Sequence, residues 1–311
     1  MATVTANMVK DLRDKTGAGM MDCKAALSET NGDVEAATDW LRKKGLSKAA
    51  KKAGRVAAEG LIGVAARANS AALVEVNSET DFVARNDEFK DFVKEASHLG
   101  LEAEGDLEKL LASPTKNGAP VDAVLKELVA KIGENMSVRR ATALAVSPGI
   151  VATYVHNASS PELGKIGVLV ALKSTADQAK LAQFGRQIAM HVAAAAPLAL
   201  TPEHLPQDAV EREREIQRDL ARQSGKPENV IEKMMEGRMR KYYEDTVLLA
   251  QKYLGPGAEG DVTVGKLVES EAKTLGAPVE VVGFVRYAVG EGIDKGPTGD
   301  FADEVKQMAG R

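Results

Sequence analysis

The sequence predicts an α+β protein with antiparallel sheets, on three observations. Residues 4–45 carry short helical patterns and no strand pattern. Two alternating apolar runs followed by a helical pattern occur in residues 60–96, and the same order returns about 90 residues later in residues 149–196. Two helical patterns, the first mostly charged, flank a turn at residues 224–227 within residues 201–245. Paired strands that each carry a helix are typical of this fold class, and their recurrence predicts a duplicated core.

Capping residues define a three-helix module at the start of the chain. Thr5 is placed to cap the first helix, with Val4 and Val9 at the spacing of a hydrophobic staple. Asp33 is placed to cap the third helix, and Gly45 is predicted to end it. A module of about 40 residues is near the lower limit for independent folding.

The basic run KKGLSKAAKKAGR (residues 43–55) follows this module. It has two interpretations, a surface that contacts phosphates or a solvated helical linker. The run has no aromatic side chains for base stacking, and the whole chain has a net charge of −4. We therefore predict a linker helix and no direct nucleic-acid partner.

The first core unit contains a connection that allows two interpretations. Two strands are predicted around a turn at residues 68–70, and Asn86 is placed to cap the helix that follows. Residues 80–85 then form a connection outside the helix. Within it, the Asp81-Phe82 pair either packs inward as ordinary turn chemistry or is held outward to contact another molecule.

The charged hairpin and the C-terminal end are predicted to find their packing partners elsewhere. The first hairpin helix has only Val210, Ile216 and Leu220 for a seam, so the hairpin is expected to project toward a partner or a second copy of the chain. Near the end, Phe301, Val305 and Met308 lie at the i, i+4, i+7 spacing of a short amphipathic helix. The predicted domains are residues 1–54 (three helices and linker), 55–140 (first core unit), 141–196 continued at 246–287 (second core unit), 197–245 (hairpin) and 288–311 (C-terminal module).

Composition narrows the class of protein. A single cysteine, Cys23, excludes an intramolecular disulfide framework and a thiolate zinc cluster. The N-terminus has neither a secretory nor a transit pattern, and no apolar run reaches the length of about 18 residues that a membrane span requires. We expect a cytoplasmic protein that does not bind membranes.

Signatures of catalysis, metal binding and cofactor binding are missing from the sequence. Its histidines, His98, His156, His191 and His204, lack metal-ligand spacing, and His191 on its Ala-rich helix is predicted to be structural. The run GDVTVGK at residues 260–266 resembles part of a phosphate loop, but Leu267 stands where a Ser or Thr must bind magnesium. The β-branched interior of the run predicts a strand instead. Glu79 and Asp81 have no neighbouring group that would make them an acid/base pair. These absences favour a binding protein over an enzyme.

Eight stretches are distinctive, in order and over nearly the whole chain: TGAGMMDCKAAL, KAAKKAGR, NSETDFVARN, AKIGENMSVRR, IGVLVAL, IAMHVAA, SGKPENVIEKMMEGRM and GFVRYAVGEGI. Together they resemble the bacterial elongation factor Ts family. The resemblance implies a ubiquitin-associated-like N-terminal domain, a duplicated α+β core, a coiled-coil-like hairpin and a C-terminal module.

The resemblance also implies a function and its site. Members of the family are guanine-nucleotide exchange factors for the GTPase elongation factor Tu. The segment Thr80, Asp81, Phe82 and Val83 resembles the family's intruding loop, whose Asp-Phe pair wedges between helices of the GTP-binding domain and disturbs its magnesium site.

Further contacts with the GTPase follow from the same resemblance. Arg13, Met20 and Met21 resemble residues that touch the GTP-binding domain, although at least one methionine fits a core position equally well. His156 resembles a histidine that faces the partner's third domain. The side chains at 301, 305 and 308 fit a C-terminal grip on the GTPase, with intramolecular docking as the alternative. An adaptor that binds ubiquitin-like folds through the three helices, and an α+β enzyme with a pocket of clustered titratable groups, are the competing functions.

Overall fold

The computed structural model describes residues 4–223, 225, 227–257 and 260–295. The helices are α1 (Ala6–Thr16), α2 (Met20–Glu29), α3 (Val34–Lys52), α4 (Asp87–Glu102), α5 (Leu107–Ala112), α6 (Val121–Ile132), α7 (Gln178–Ala195), α8 (Gln207–Arg222), α9 (Glu228–Thr246) and α10 (Val264–Leu275). The strands are β1 (Glu59–Arg67), β2 (Ser70–Ser78), β3 (Met136–Ala145), β4 (Gly149–His156), β5 (Leu163–Gly164), β6 (Ile166–Lys173) and β7 (Glu280–Ala288). The predicted helix formed by Phe301, Val305 and Met308 lies outside the described residues.

The core consists of two antiparallel sheets stacked between helices. One sheet has the strand order β3-β2-β1-β5 and the other has the order β4-β6-β7. Ile62 and Leu73 of the first sheet share a buried cluster with Val151 and Leu169 of the second, so the sheets pack face to face. Helix α4 covers the outer face of the first sheet and α7 covers that of the second. Because both faces of these sheets are covered, strands such as β6 are buried along most of their length. The α+β class and the antiparallel sheets are confirmed.

Helix α3 contradicts the prediction that Gly45 ends it. The helix runs through Gly45 to Lys52, so the basic run belongs to the same helix. A Cβ atom on Gly45 would lie 2.9 Å from the Cβ of Ala130 in α6. Gly45 therefore allows the two helices to approach closely. The Lys52 ammonium donates to the carbonyl of Gly133, just beyond α6. The prediction of a helix is confirmed, and Lys43, Lys51 and Arg55 are exposed as expected. The run is not a free linker, however, because it packs on the core through Gly45 and Ala49.

The prediction of a strand at residues 260–266 was also wrong. Thr263 is the N-cap of α10, and its hydroxyl accepts a hydrogen bond from the backbone N–H of Lys266. Val264 and Val268 follow at i, i+4 spacing and are buried. The capping threonine and the helical spacing outweighed the β-branched composition.

The hairpin of α8 and α9 forms as predicted, but with a different seam. Val210 is buried as expected, whereas Ile216 and Leu220 are 48% and 47% exposed. Ala221 takes the buried place and packs in the cluster that contains Met235 of α9. Two exposed apolar side chains therefore lie on the outside of α8.

In the part of the chain that the structure describes, no helix is both long and apolar enough to cross a bilayer.

A buried carboxylate ties the C-terminal strand to the first sheet. Glu75 in β2 has no solvent exposure and forms ion pairs with Arg139 and Arg140 of β3. The same carboxylate accepts a hydrogen bond of 2.8 Å from the backbone N–H of Gly290, just after β7. A buried charge requires such partners, because unpaired it would cost several kcal/mol.

Candidate functional site

The Asp81-Phe82 pair lies on a short turn between β2 and α4. The Asn86 side chain caps α4 by accepting a hydrogen bond of 3.1 Å from the backbone N–H of Phe89, as predicted. Residues Val83–Arg85 form one turn of 3-10 helix, where the sequence had predicted an irregular connection. Within it, Val83 is buried among the core residues under α4, so its side chain anchors the turn from inside.

The tip of this turn faces solvent. Phe82 is 73% exposed, which excludes the interpretation that its ring packs in the core. The Asp81 carboxylate forms an ion pair of 3.2 Å with Arg85, and the Arg85 guanidinium lies 5.9 Å from the centroid of the Phe82 ring. The turn thus presents an apolar ring, a carboxylate and a guanidinium next to one another. Such a group is suited to insertion into a protein surface that offers an apolar slot and polar groups.

Hydrogen bonds at the base of the turn hold it in place. Glu134, which follows α6, accepts from the backbone N–H of Thr80 at 2.9 Å and from its hydroxyl at 2.7 Å. Glu79 accepts from the backbone N–H of Asn135 at 2.5 Å and lies 3.6 Å from the Arg55 guanidinium. The Glu79 carboxylate is therefore engaged in structural contacts, which argues against an acid/base pair with Asp81.

The sequence reasoning did not identify Glu134, Asn135 or Arg55 as part of this site. The stretch AKIGENMSVRR (residues 130–140) contributes to the family resemblance, but it does not predict a role for Glu134 or Asn135. Glu134 and Thr80 are 54 positions apart, and no local pattern connects them. Only the packing of α6 beside the turn brings them together.

The N-terminal candidates lie on the surface of the three-helix module. Met20 and Met21 are 54% and 78% exposed, so neither occupies the core position that had been considered for one of them. Arg13 on α1 is exposed as well. The core of the module consists instead of Leu12, Cys23 and Leu27 with the side chains packed around them. Two flexible thioethers are therefore exposed on the surface of the module.

His156 is the last residue of β4, and its side chain is exposed. Its Nδ1 atom lies 3.1 Å from the hydroxyl of Tyr154, two residues earlier on the same strand. The loop after β4 begins at Asn157, whose φ is 49°, and leads into β5 of the first sheet. The imidazole therefore has a defined neighbour in Tyr154 while it remains accessible.

His191 is a structural histidine, as predicted. It is buried, and one ring nitrogen lies 2.9 Å from the Gln251 side-chain oxygen while the other accepts from the backbone N–H of Leu254 at 3.2 Å. Burial lowers the pKa of His191 below its ordinary value, against the opposing effect of the bond to Gln251. The neutral imidazole is thus a hydrogen-bonding link between α7 and the segment before α10.

An open cleft between α3, α6 and the start of α2 is lined by titratable side chains of both signs. The cleft has a volume of about 310 Å³. Its charges form solvent-exposed pairs such as Lys44 with Asp22 at 3.2 Å and Arg42 with Glu127 at 3.4 Å. Exposed pairs of this kind do not make the desolvated acid and base that an enzyme site requires. Across the described ranges, no group of three or more His, Cys, Asp or Glu side chains is placed to hold a metal ion.

Comparison with known proteins covers the chain from end to end. A family model described as "Elongation factor TS" matches residues 79–291, which include the Asp81-Phe82 turn and strands β3 to β7. "Elongation factor Ts" of Rhodospirillum centenum is 57% identical over 311 residues, and this alignment covers 100% of both chains. The protein of the same name from Parvibaculum lavamentivorans is 56% identical over 310 residues and 99% of each chain. That from Maricaulis maris is 54% identical over 314 residues and 100% of each chain.

Proposed function

The chain belongs to the elongation factor Ts family of translation elongation factors, and from this premise we propose that it is a guanine-nucleotide exchange factor for elongation factor Tu. It binds the GDP-bound GTPase and promotes release of GDP. No covalent bond changes on this chain during the process. The single observation that carries the proposal is that the Phe82 ring is 73% exposed to solvent. The turn that presents it is held in place by the hydrogen bonds between Thr80 and Glu134.

Phe82 acts as an apolar wedge in this proposal, and Asp81 as the charged group beside it. An aromatic ring left in water gains about 1.5–3 kcal/mol when a partner buries it fully. The ring enters the GTP-binding domain near its magnesium site, and the Asp81 carboxylate pairs with donors there. Mg²⁺ joins the nucleotide phosphates to a GTPase, so displacing the groups that support it weakens GDP binding.

Thermodynamic linkage explains why such a wedge releases nucleotide. If the factor binds the nucleotide-free GTPase more tightly than the GDP-bound form, GDP must bind the complex more weakly by the same factor. A coupling free energy of about 4 kcal/mol would correspond to roughly a thousandfold change in affinity. The factor supplies this coupling through contacts alone.

Other contacts hold the two proteins together while the wedge acts. Arg13, Met20 and Met21 form an exposed N-terminal surface for the GTP-binding domain. His156, exposed beside Tyr154, contacts the third domain of the GTPase. We assign the C-terminal side chains at 301, 305 and 308 to the same partner, on the family resemblance alone.

The exposed methionines also favour a second candidate function. An adaptor could use the Met20 and Met21 surface to bind a ubiquitin-like fold. This function gives the Asp81-Phe82 turn no role. Capture of purified elongation factor Tu by the full chain, compared with capture of a ubiquitin-like protein, distinguishes the two.

The direct test is release of a fluorescent GDP analogue from purified elongation factor Tu. With excess unlabelled GDP as chaser, micromolar amounts of this protein are expected to accelerate the loss of fluorescence by orders of magnitude. A release rate that does not change with the concentration of the factor would sink the proposal. Heat-denatured factor at the same concentration is the matched control for non-specific effects.

A further inference from the structure

We propose that Glu134 is a positioning residue that holds the Asp81-Phe82 turn in its projecting conformation. In this role it sets the exchange rate without itself entering the partner. The inference rests on the exchange function proposed above. The Glu134 carboxylate accepts two hydrogen bonds from Thr80, of 2.9 Å and 2.7 Å.

Both oxygens of the Glu134 carboxylate are committed to the same residue. Oε2 accepts from the Thr80 backbone N–H, and Oε1 accepts from the Thr80 hydroxyl. A bidentate arrangement fixes orientation as well as distance, and hydrogen bonds to a charged acceptor are stronger than neutral ones. The Ser78 hydroxyl adds a bond of 2.9 Å to the Thr80 carbonyl. Thr80 is therefore held through its N–H, its hydroxyl and its carbonyl.

Glu134 is itself held by the scaffold. It follows Gly133, which ends α6 with a φ of 92° in the left-handed region that glycine tolerates. The Gly133 carbonyl accepts a hydrogen bond from Lys52 at the end of α3. The next residue, Asn135, donates its backbone N–H to Glu79 and its side-chain amide to the Arg55 carbonyl at 2.7 Å. The ends of α3 and α6 thus fix the position from which Glu134 reaches the turn.

The tip has two anchors, and Glu134 supplies one of them. On the downstream side, buried Val83 and Ala84 hold the 3-10 turn in the core. On the upstream side, Thr80 is held by Glu134. Only Asp81 and Phe82 lie between these anchors. Loss of the upstream anchor frees the backbone before the tip, so the ring would sample orientations that do not fit the partner and pay an ordering cost on binding.

The test is a double-mutant cycle with Glu134→Ala and Phe82→Ala, read by GDP release from elongation factor Tu. Loss of one strong hydrogen-bonded anchor is expected to lower the maximal exchange rate of Glu134→Ala about tenfold. The concentration that gives half the maximal rate should change less than about threefold, since the other contact surfaces remain. In the Phe82→Ala background, the same Glu134→Ala step should change the rate less than about twofold, because the wedge it positions is gone.

Two further variants separate positioning from a general loss of structure. Glu134→Gln keeps an acceptor for the Thr80 N–H, and its amide can donate to the Thr80 hydroxyl, so it should recover most of the rate. Glu127→Ala removes a carboxylate from α6 that pairs only with exposed Arg42 in the described structure, and it should leave exchange unchanged. An equal fold-change from Glu134→Ala in both Phe82 backgrounds would overturn the proposal.

Amide hydrogen exchange tests the anchor independently of the exchange function. Glu134→Ala should speed deuterium uptake in a peptide covering residues 79–86, with uptake in α4 and β1 unchanged. Unchanged uptake in that peptide would refute the anchor, even if GDP release is slower. If the wild-type chain fails to accelerate GDP release, the proposed function fails, and the deuterium result still decides whether Glu134 holds the turn.

Discussion

Replacement of Phe82 with alanine is expected to slow GDP release while leaving the stability of the protein nearly unchanged. The ring is 73% exposed, so about a quarter of its surface is buried within the chain. Full burial of a phenylalanine side chain is worth about 1.5–3 kcal/mol. The buried share corresponds to roughly 0.4–0.8 kcal/mol of folding stability, and the exposed share leaves about 1–2 kcal/mol for the partner.

The larger share should appear in the exchange rate. If the partner buries the ring only when GDP is being displaced, about 1–2 kcal/mol corresponds to a decrease of about 5- to 30-fold in the maximal rate. Stopped-flow release of a fluorescent GDP analogue measures the rate, and urea unfolding followed by circular dichroism measures stability. Leu254→Ala is the matched control, because Leu254 is 65% exposed and lies outside the proposed contact surface.

Two results would refute this reasoning. An exchange rate within twofold of the wild type would remove Phe82 from the mechanism. A loss of stability above about 2 kcal/mol would show that the ring packs within the chain in solution, since an exposed ring has little packing to lose. A comparable slowing by Leu254→Ala would show that any exposed apolar side chain has this effect.

Three further predictions concern packing, pH and assembly. Gly45→Val should lower the free energy of unfolding by about 1–3 kcal/mol, because the new Cβ would lie 2.9 Å from the Cβ of Ala130. Gly237→Ala on α9 has open space around it and should raise the free energy of unfolding by about 0.5–1 kcal/mol. Urea unfolding midpoints measure both changes. Burial lowers the pKa of His191, so the unfolded chain binds a proton more readily than the folded chain, and the free energy of unfolding should fall as the pH drops below about 6.5. His191→Gln should reduce this pH dependence in urea titrations between pH 7.5 and 5.5. An equal pH dependence in both proteins would contradict a buried, neutral His191. If two copies associate through the exposed face of α8, Ile216→Ser/Leu220→Ser should convert a dimer to a monomer in sedimentation velocity, whereas a wild-type chain that is monomeric at tens of micromolar would contradict self-association.

Local signals predicted the elements that their own residues determine. Thr5, Asp33 and Asn86 each cap the helix expected from the sequence, because a capping side chain acts on backbone groups two or three positions away. Exposure of the Asp81-Phe82 turn was one of two open interpretations. The cap at Asn86 limited the start of α4 and left the preceding residues outside the helix.

Contacts between distant segments were beyond the reach of such signals. Gly45 looks like a helix end in the sequence. In the structure this position lies inside α3 and requires a residue without a Cβ, because Ala130 of α6 packs against it. Ile216 and Leu220 fit the pattern of a seam, yet the register of α8 against α9 places the smaller Ala221 inside. Glu134 carries no local sign of its hydrogen bonds to Thr80. In each case the partner is brought near by packing, which a single sequence does not specify residue by residue.

The carboxylate of Glu75 has a consequence for how the chain folds as it is synthesised. Its ion-pair partners Arg139 and Arg140 emerge from the ribosome early, but the backbone N–H of Gly290 is 215 positions further along the chain. Until that segment emerges, the first sheet lacks one hydrogen-bond donor for a carboxylate that ends with no solvent exposure. The first sheet therefore gains this donor only after residue 290 has been synthesised, and closure of the two-sheet core is a late, non-local step that joins β2 to the segment after β7.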